Sequence, residues 1–163
     1  ETMKYNNLAK ARSFGADFTF NYQVLPSLAI GGGYSYTDAK AQYTEDQNDP
    51  NYMKYLPINA TSYHNANWKI AWTHKDVGVS LFGRYQSTRY YITDGNGKAY
   101  QLWRLNVRSS LLKTKKWNLG MNAGIDNIFN YIDRTPFGKN RGTTSPGRTL
   151  YLSLNVKFQN KQK

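Results

Sequence analysis

The sequence predicts an all-β chain, an antiparallel wall of strands from a barrel that crosses a membrane. Three observations predict it. Side chains alternate between apolar and polar over stretches of about ten residues. Short and long connections alternate between those stretches, and aromatic residues gather near their ends.

Composition agrees. Hydrophobic residues make up 39% of the 163 residues and mean hydropathy is -0.74. No segment approaches the roughly 20 apolar residues of a membrane helix. Aromatics nevertheless reach 15%, with 14 Tyr beside 13 Gly, a mixture that suits strands better than helices. The 22 Lys and Arg outnumber the 10 Asp and Glu, for a net charge of +12. These cations are scattered, with no basic run or helix to carry them, so no nucleic-acid partner is expected. The absence of Cys rules out disulfides and thiolate metal sites. The chain opens on polar residues rather than an apolar leader, so an exported protein would be expected to extend upstream of Glu1.

The strands follow in order. Phe14, Ala16, Phe18, Phe20, Tyr22 and Val24 share one face, against Ser13, Gly15, Asp17, Thr19, Asn21 and Gln23. Leu28, Ile30, Gly32, Tyr34 and Tyr36 form a second apolar row, and Ala66, Trp68, Ile70 and Trp72 a third. Val77, Val79, Leu81, Gly83 and Tyr85 make a fourth, and Trp103, Leu105, Val107 and Leu111 a fifth. Trp117, Leu119, Met121, Ala123 and Ile125 make a sixth; Leu150, Leu152, Leu154, Val156 and Phe158 complete about seven.

Short turns at 25–27, 74–76 and 113–116 alternate with long connections at 41–61, 92–98 and 130–147. In outer-membrane barrels the short turns are periplasmic, which gives every strand a direction. Tyr22, Trp72, Trp117 and Phe158 then lie at lower ends. Phe14, Tyr36, Tyr85, Trp103 and Phe129 lie toward upper ends, giving two aromatic girdles at headgroup level.

The last third carries a resemblance. Gly124-Ile125-Asp126-Asn127-Ile128-Phe129-Asn130-Tyr131 resembles the G-x-x-N-L-F segment that begins the last extracellular loop of TonB-dependent receptors. Ser145-Pro146-Gly147-Arg148 is similar to the P-G-R lead-in to their final strand, which here ends at Phe158. The style of Asp133 to Gly138 is similar to Bacteroidetes-type receptors. The resemblance implies residues 1–158 as the C-terminal strands and loops of a 22-strand-type barrel, with 159–163 as a short tail. It implies a plug domain outside this chain, TonB contact through that missing part, and active uptake of a ferric siderophore, haem or cobalamin. Implied partners are the rest of the receptor, outer-membrane lipid and lipopolysaccharide, and a surface lipoprotein. Phe158 would be the barrel-closing terminal residue.

Chemistry is sparse. No paired carboxylates, nucleophile elbow or metal-ligand spacing occurs, so no catalytic residue, metal site or cofactor is expected. Asp94-Gly95-Asn96-Gly97 reads as a tight turn rather than a calcium loop. His64 falls on the lipid-facing parity and His74 at a turn, which disfavours haem ligation. By phase, Lys69, Arg84, Arg104 and Arg108 face the lumen, to attract an anionic cargo, to pair with acidic plug residues or to stay hydrated. Tyr43, Tyr52 and Tyr55, with Asp46 and Asp49, mark the first long loop as the best place for ligand contact. Arg134 and Arg141, with Lys139 and Arg148, make the last loop basic, toward cargo or lipopolysaccharide phosphate. Two rivals remain: a small self-contained barrel, needing an eighth strand in the poorly alternating Glu1–Ala11, and a soluble β-sandwich binding module.

Overall fold

The computed structural model of the chain describes residues 10–91, 96–132 and 146–158. Its strands are β1 (Lys10–Leu25), β2 (Leu28–Gln42), β3 (Leu56–Pro57), β4 (His64–His74), β5 (Val77–Gln86), β6 (Tyr100–Lys113), β7 (Trp117–Asp126) and β8 (Thr149–Phe158). They form one antiparallel sheet in the order β1-β2-β4-β5-β6-β7-β8, with β3 beside the upper end of β2. Each long strand pairs with the next in sequence, as an up-and-down barrel wall requires. Among the described residues β1 and β8 are the sheet's edges. No helix there is long and apolar enough to cross a membrane, so any crossing falls to strands.

Register carries the alternation across the sheet. Phe18 lies opposite Tyr34, Ile30 opposite Ile70, Ile70 opposite Leu81, and Leu81 opposite Leu105. Leu105 then meets Ile125, and Ile125 meets Leu150. The apolar residues therefore form one continuous face, because the side-chain period of two survives every pairing. The opposite face carries Asn, Ser, Gly, Lys and Arg.

Among the described residues neither face is covered by a second layer. Among the described residues the buried hydrophobics are only Ala41, Tyr91 and Tyr100, while Leu150, Leu152 and Leu154 are 72%, 66% and 62% exposed. A β-sandwich would bury such a row between two sheets. Here the row needs an apolar solvent, and the sandwich alternative falls. The helix-free, single-layer sheet agrees with the expected barrel wall.

Two details refine the strand reading. β3 lies inside the first long loop, where a two-residue pairing of Lys40 with Pro57 and Ala41 with Leu56 extends the sheet upward. No period can be read from two residues. In β6 the register shifts between Ser110 and Leu112, so Leu112 rather than Leu111 lies opposite Leu119. Leu111 is the extra residue of a bulge, which breaks the parity count that placed it in the apolar row.

The girdles form contacts. At the upper level Trp68 and Trp103 stack edge to face at 5.0 Å, and Trp103 meets Phe129 at 6.2 Å. Phe14 meets Tyr36 at 6.4 Å, and Tyr36 meets His64 at 5.5 Å. At the lower level Trp117 meets Phe158 at 4.0 Å and Trp72 stacks on His74 at 5.9 Å. Gly83 makes the first cluster possible. A Cβ there would collide with the Trp68 indole, which covers this glycine from its paired position. Gly83→Val should expel Trp68 from Trp103 and destabilise the wall by about 1–3 kcal/mol. Urea unfolding of the bilayer-reconstituted protein, followed by Trp fluorescence, checks this.

Candidate functional site: the lumenal wall and its upper rim

The polar face presents the four cations that phase assigned to it. On β4, the Lys69 ammonium lies 5.4 Å from the Phe82 ring centroid. On β5, Arg84 Nη2 donates to the Tyr100 hydroxyl at 2.8 Å. On β6, Arg104 pairs with Asp126, its cross-strand partner on β7. Arg108 lies across Gly78, which has no side chain to obstruct it. Lys69, Arg84 and Arg108 meet no carboxylate among the described residues.

The Arg104–Asp126 pair lies within the chain, whereas the sequence reading left Arg104 to an anionic cargo, acidic plug residues or hydration. Both partners are well exposed, at 58% and 35% of the side chain. A double-mutant cycle with Arg104→Ala and Asp126→Ala should give a coupling of only about 0.2–1 kcal/mol, shrinking with salt. A coupling of several kcal/mol would contradict the exposed geometry.

Above these cations lies a rim cluster that sequence reading missed. Tyr100, at the start of β6, donates to Gln86 Oε1 at 2.6 Å, and Gln86 Nε2 donates to Ser62 Oγ at 3.2 Å. Arg89 is 4% exposed, with its guanidinium 5.1 Å from the Tyr100 ring centroid. Tyr131 stacks on the same ring at 5.1 Å and 5°. Backbone bridges from Arg89 to Ser62 and to Gly97 tie adjacent loops together. The even parity of Tyr100 pointed inward and would have found part of this cluster. Arg89 lies in a loop, where no phase exists to read.

The first long loop is held by its own polar groups. Tyr43 donates to Pro57 O at 3.0 Å and accepts from Asn59 N at 3.0 Å. Asp46 and Asp49 each accept from backbone N–H two residues on, at 2.9 and 2.7 Å, forming tight local turns. The Tyr55 ring lies under Arg12, 4.4 Å away, and Tyr52 is half-buried in the Asp49 turn. The structure thus gives Tyr43 and Tyr55 bracing contacts, and it does not bring either to the four cations of the polar face. Arg134, Lys139, Arg141, Asp94 and Gly95 lie outside the described residues.

At the far end, the two motif segments meet. Asn127 is buried, has φ 52°, donates to Tyr131 O at 2.7 Å and accepts from Tyr131 N at 2.9 Å. Asn130 Oδ1 accepts from Arg148 N at 2.9 Å, and Arg148 Nε donates to Ile128 O at 2.9 Å. Gly147 between them has φ 89°, which a side chain would strain. The base of the last loop is therefore clamped by residues about 20 positions apart. Beside it a concavity of about 460 Å³ opens, lined by Phe82, Arg84, Arg104, Asp126, Asn127 and Gly147.

These features match a known group. Residues 2–128 match the family described as TonB dependent receptor-like, beta-barrel. The chain belongs to that family. Solved relatives share the fold. The ferric citrate transporter FecA in its unliganded form superposes with TM-score 0.69 and 19% identity, over 90% of this chain and 24% of that one. The copper transporter OprC gives 0.61 and 18%, over 91% and 24%. BauA, the ferric preacinetobactin receptor of Acinetobacter baumannii, gives 0.65 and 19%, over 91% and 22%. This chain spans about a quarter of each. No curated protein matches the sequence.

As a piece of a TonB-dependent receptor-like barrel, the chain belongs in the bacterial outer membrane. Among the described residues no group of three or more His, Cys, Asp or Glu could hold a metal ion. His64 lies on the apolar face, opposite Tyr36, where Nδ1 shares a 2.7 Å hydrogen bond with the Tyr34 hydroxyl. Lys40 stands above the upper girdle. Its hydrogen bond to Asp38, and then the Asp38 charge, raise its pKa above the ordinary lysine value.

Proposed function

We propose that the chain is a C-terminal wall segment of a receptor that takes up a bulky, scarce nutrient across the outer membrane by TonB-driven transport. The observation that carries this reading is the two-faced single sheet, with a continuous apolar exterior and an interior where Lys69, Arg84 and Arg108 meet no carboxylate among the described residues. Such an interior attracts an anionic chelate without holding it covalently. Ferric siderophores, haem and cobalamin are the cargo classes in view. The named functions of FecA and BauA, ferric citrate and ferric preacinetobactin, favour ferric chelates among them. No covalent chemistry is assigned to the chain.

Residues 1–158 serve as wall strands and loops of a 22-strand-type barrel, and 159–163 as a tail. The edges of β1 and β8 pair with the remaining strands of the same receptor, since an unpaired edge in lipid costs several kcal/mol per backbone group. Phe158 anchors the closing strand at the lower girdle. Tyr52 in the first long loop, which Tyr43 and Tyr55 brace, meets cargo from above, as do Arg134 and Arg141 of the last loop. Lipopolysaccharide and a surface lipoprotein are the outer partners.

Intact mass of the detergent-extracted particle, before and after denaturation, tests this reading. Release of an 18.8 kDa chain from a far larger particle, or its presence within one longer polypeptide, supports it. A native protein component of 18.8 kDa alone would make it a small closed barrel and overturn the transport reading.

A further inference from the structure

The outward face of β1 and β2 changes character above the upper girdle. Phe14, 68% exposed, and Tyr36 mark the girdle there. On the same parity, β1 continues upward with Arg12 and Lys10, and β2 with Asp38 and Lys40. Register sets Arg12 directly opposite Lys40, and Lys10 opposite Gln42. Side chains paired on one face start about 4.5–5.5 Å apart, and like charges so placed repel. Two cations across one ladder rung repel, and Asp38, which pairs with Lys40, offsets only one of them.

The surroundings fit an anion. The Tyr55 ring fixes the Arg12 guanidinium at 4.4 Å, leaving its N–H fork without a carboxylate among the described residues. Among the described residues Asp38 is the one carboxylate on this patch, 3.0 Å from Lys40, so Lys10, Arg12 and Lys40 keep an excess of positive charge. A guanidinium fork beside two ammonium groups suits phosphate oxygens. The patch is continuous with the lipid-facing apolar row immediately below. A ligand that carries both acyl chains and phosphate satisfies both parts, whereas free phosphate meets only the upper one.

We propose that Lys10, Arg12 and Lys40 form an outward-facing site for the phosphorylated headgroup of an outer-leaflet glycolipid. The site rests on the outer-membrane placement of the chain, and it is separate from the lumenal cations and from the basic last loop. Bound lipid would grip the wall where β1 meets its neighbour in the complete barrel.

The test uses the whole receptor in nanodiscs, probed by native mass spectrometry with purified bisphosphorylated lipid A. K10Q/R12Q/K40Q is compared with K75Q/K115Q/K116Q, which removes the same charge at the periplasmic turns. Retention of heat-modifiable gel migration establishes that each variant remains a barrel; wild-type protein without it would remove the membrane reading itself. The upper triple variant is expected to bind at least about tenfold more weakly, with the lower one unchanged. Dephosphorylated lipid A should bind wild type as weakly as it binds the variant, and millimolar inorganic phosphate should not compete. Equal binding by both variants, or equal binding of dephosphorylated lipid, overturns the proposal. If the triple variant fails to assemble, R12Q alone, expected at about threefold or more, carries the same decision.

Discussion

Leu81→Arg is expected to destabilise the barrel by about 2–4 kcal/mol, the cost of arginine near the bilayer midplane on the lipid face of an outer-membrane barrel. Leu81 stands mid-strand in β5, between Ile70 on β4 and Leu105 on β6, with no polar partner at its level on either side. The adjacent Ser80→Arg should cost less than about 1 kcal/mol. Its side chain points to the other face, between Ala71 and Asn106, where water and polar groups solvate a guanidinium. Urea unfolding of the complete receptor in lipid, read by gel mobility, checks the pair. Equal costs at 80 and 81 would mean that the two faces are not lipid and lumen.

The second large effect is expected at Asn127→Ala. The Asn127 side chain donates to and accepts from the backbone of Tyr131, while its own φ is 52°. Alanine loses both hydrogen bonds and leaves the backbone groups of a half-buried residue without this partner, at about 1–3 kcal/mol. It also disfavours the left-handed conformation that Asn tolerates. The damage should reach past the turn, since Asn130 holds Arg148 at the lead-in to β8. Hydrogen exchange in the intact receptor should therefore quicken at Tyr131 and Arg148 together. Faster exchange at Tyr131 alone would show that the turn and the lead-in are independent. Arg148→Ala, which removes only the bond to Ile128 O, should cost less than Asn127→Ala.

The motif residues show why the last third was recognisable. Asn127, Asn130, Gly147 and Arg148 close one loop base, and each has a geometric task that few other residues perform. A pattern of required residue types survives as sequence, so the resemblance could be read before the contacts were known. The middle of the chain lacks such requirements and was legible only as alternation. The first long loop was legible as a location. That Tyr43 braces it and Tyr55 lies under Arg12 depends on where distant backbone passes.

The sequence by itself determined the two faces, the seven long strands and their up-and-down order. All follow from local rules, because successive side chains on a strand must point to opposite faces and turn length constrains which strands can be neighbours. Tertiary structure alone decided the β6 bulge, the β3 extension, the Arg104–Asp126 pair and the Tyr100 rim cluster. Each depends on register between segments that are separated in the chain. Once a bulge adds a residue, parity no longer tells which side chain meets its neighbour.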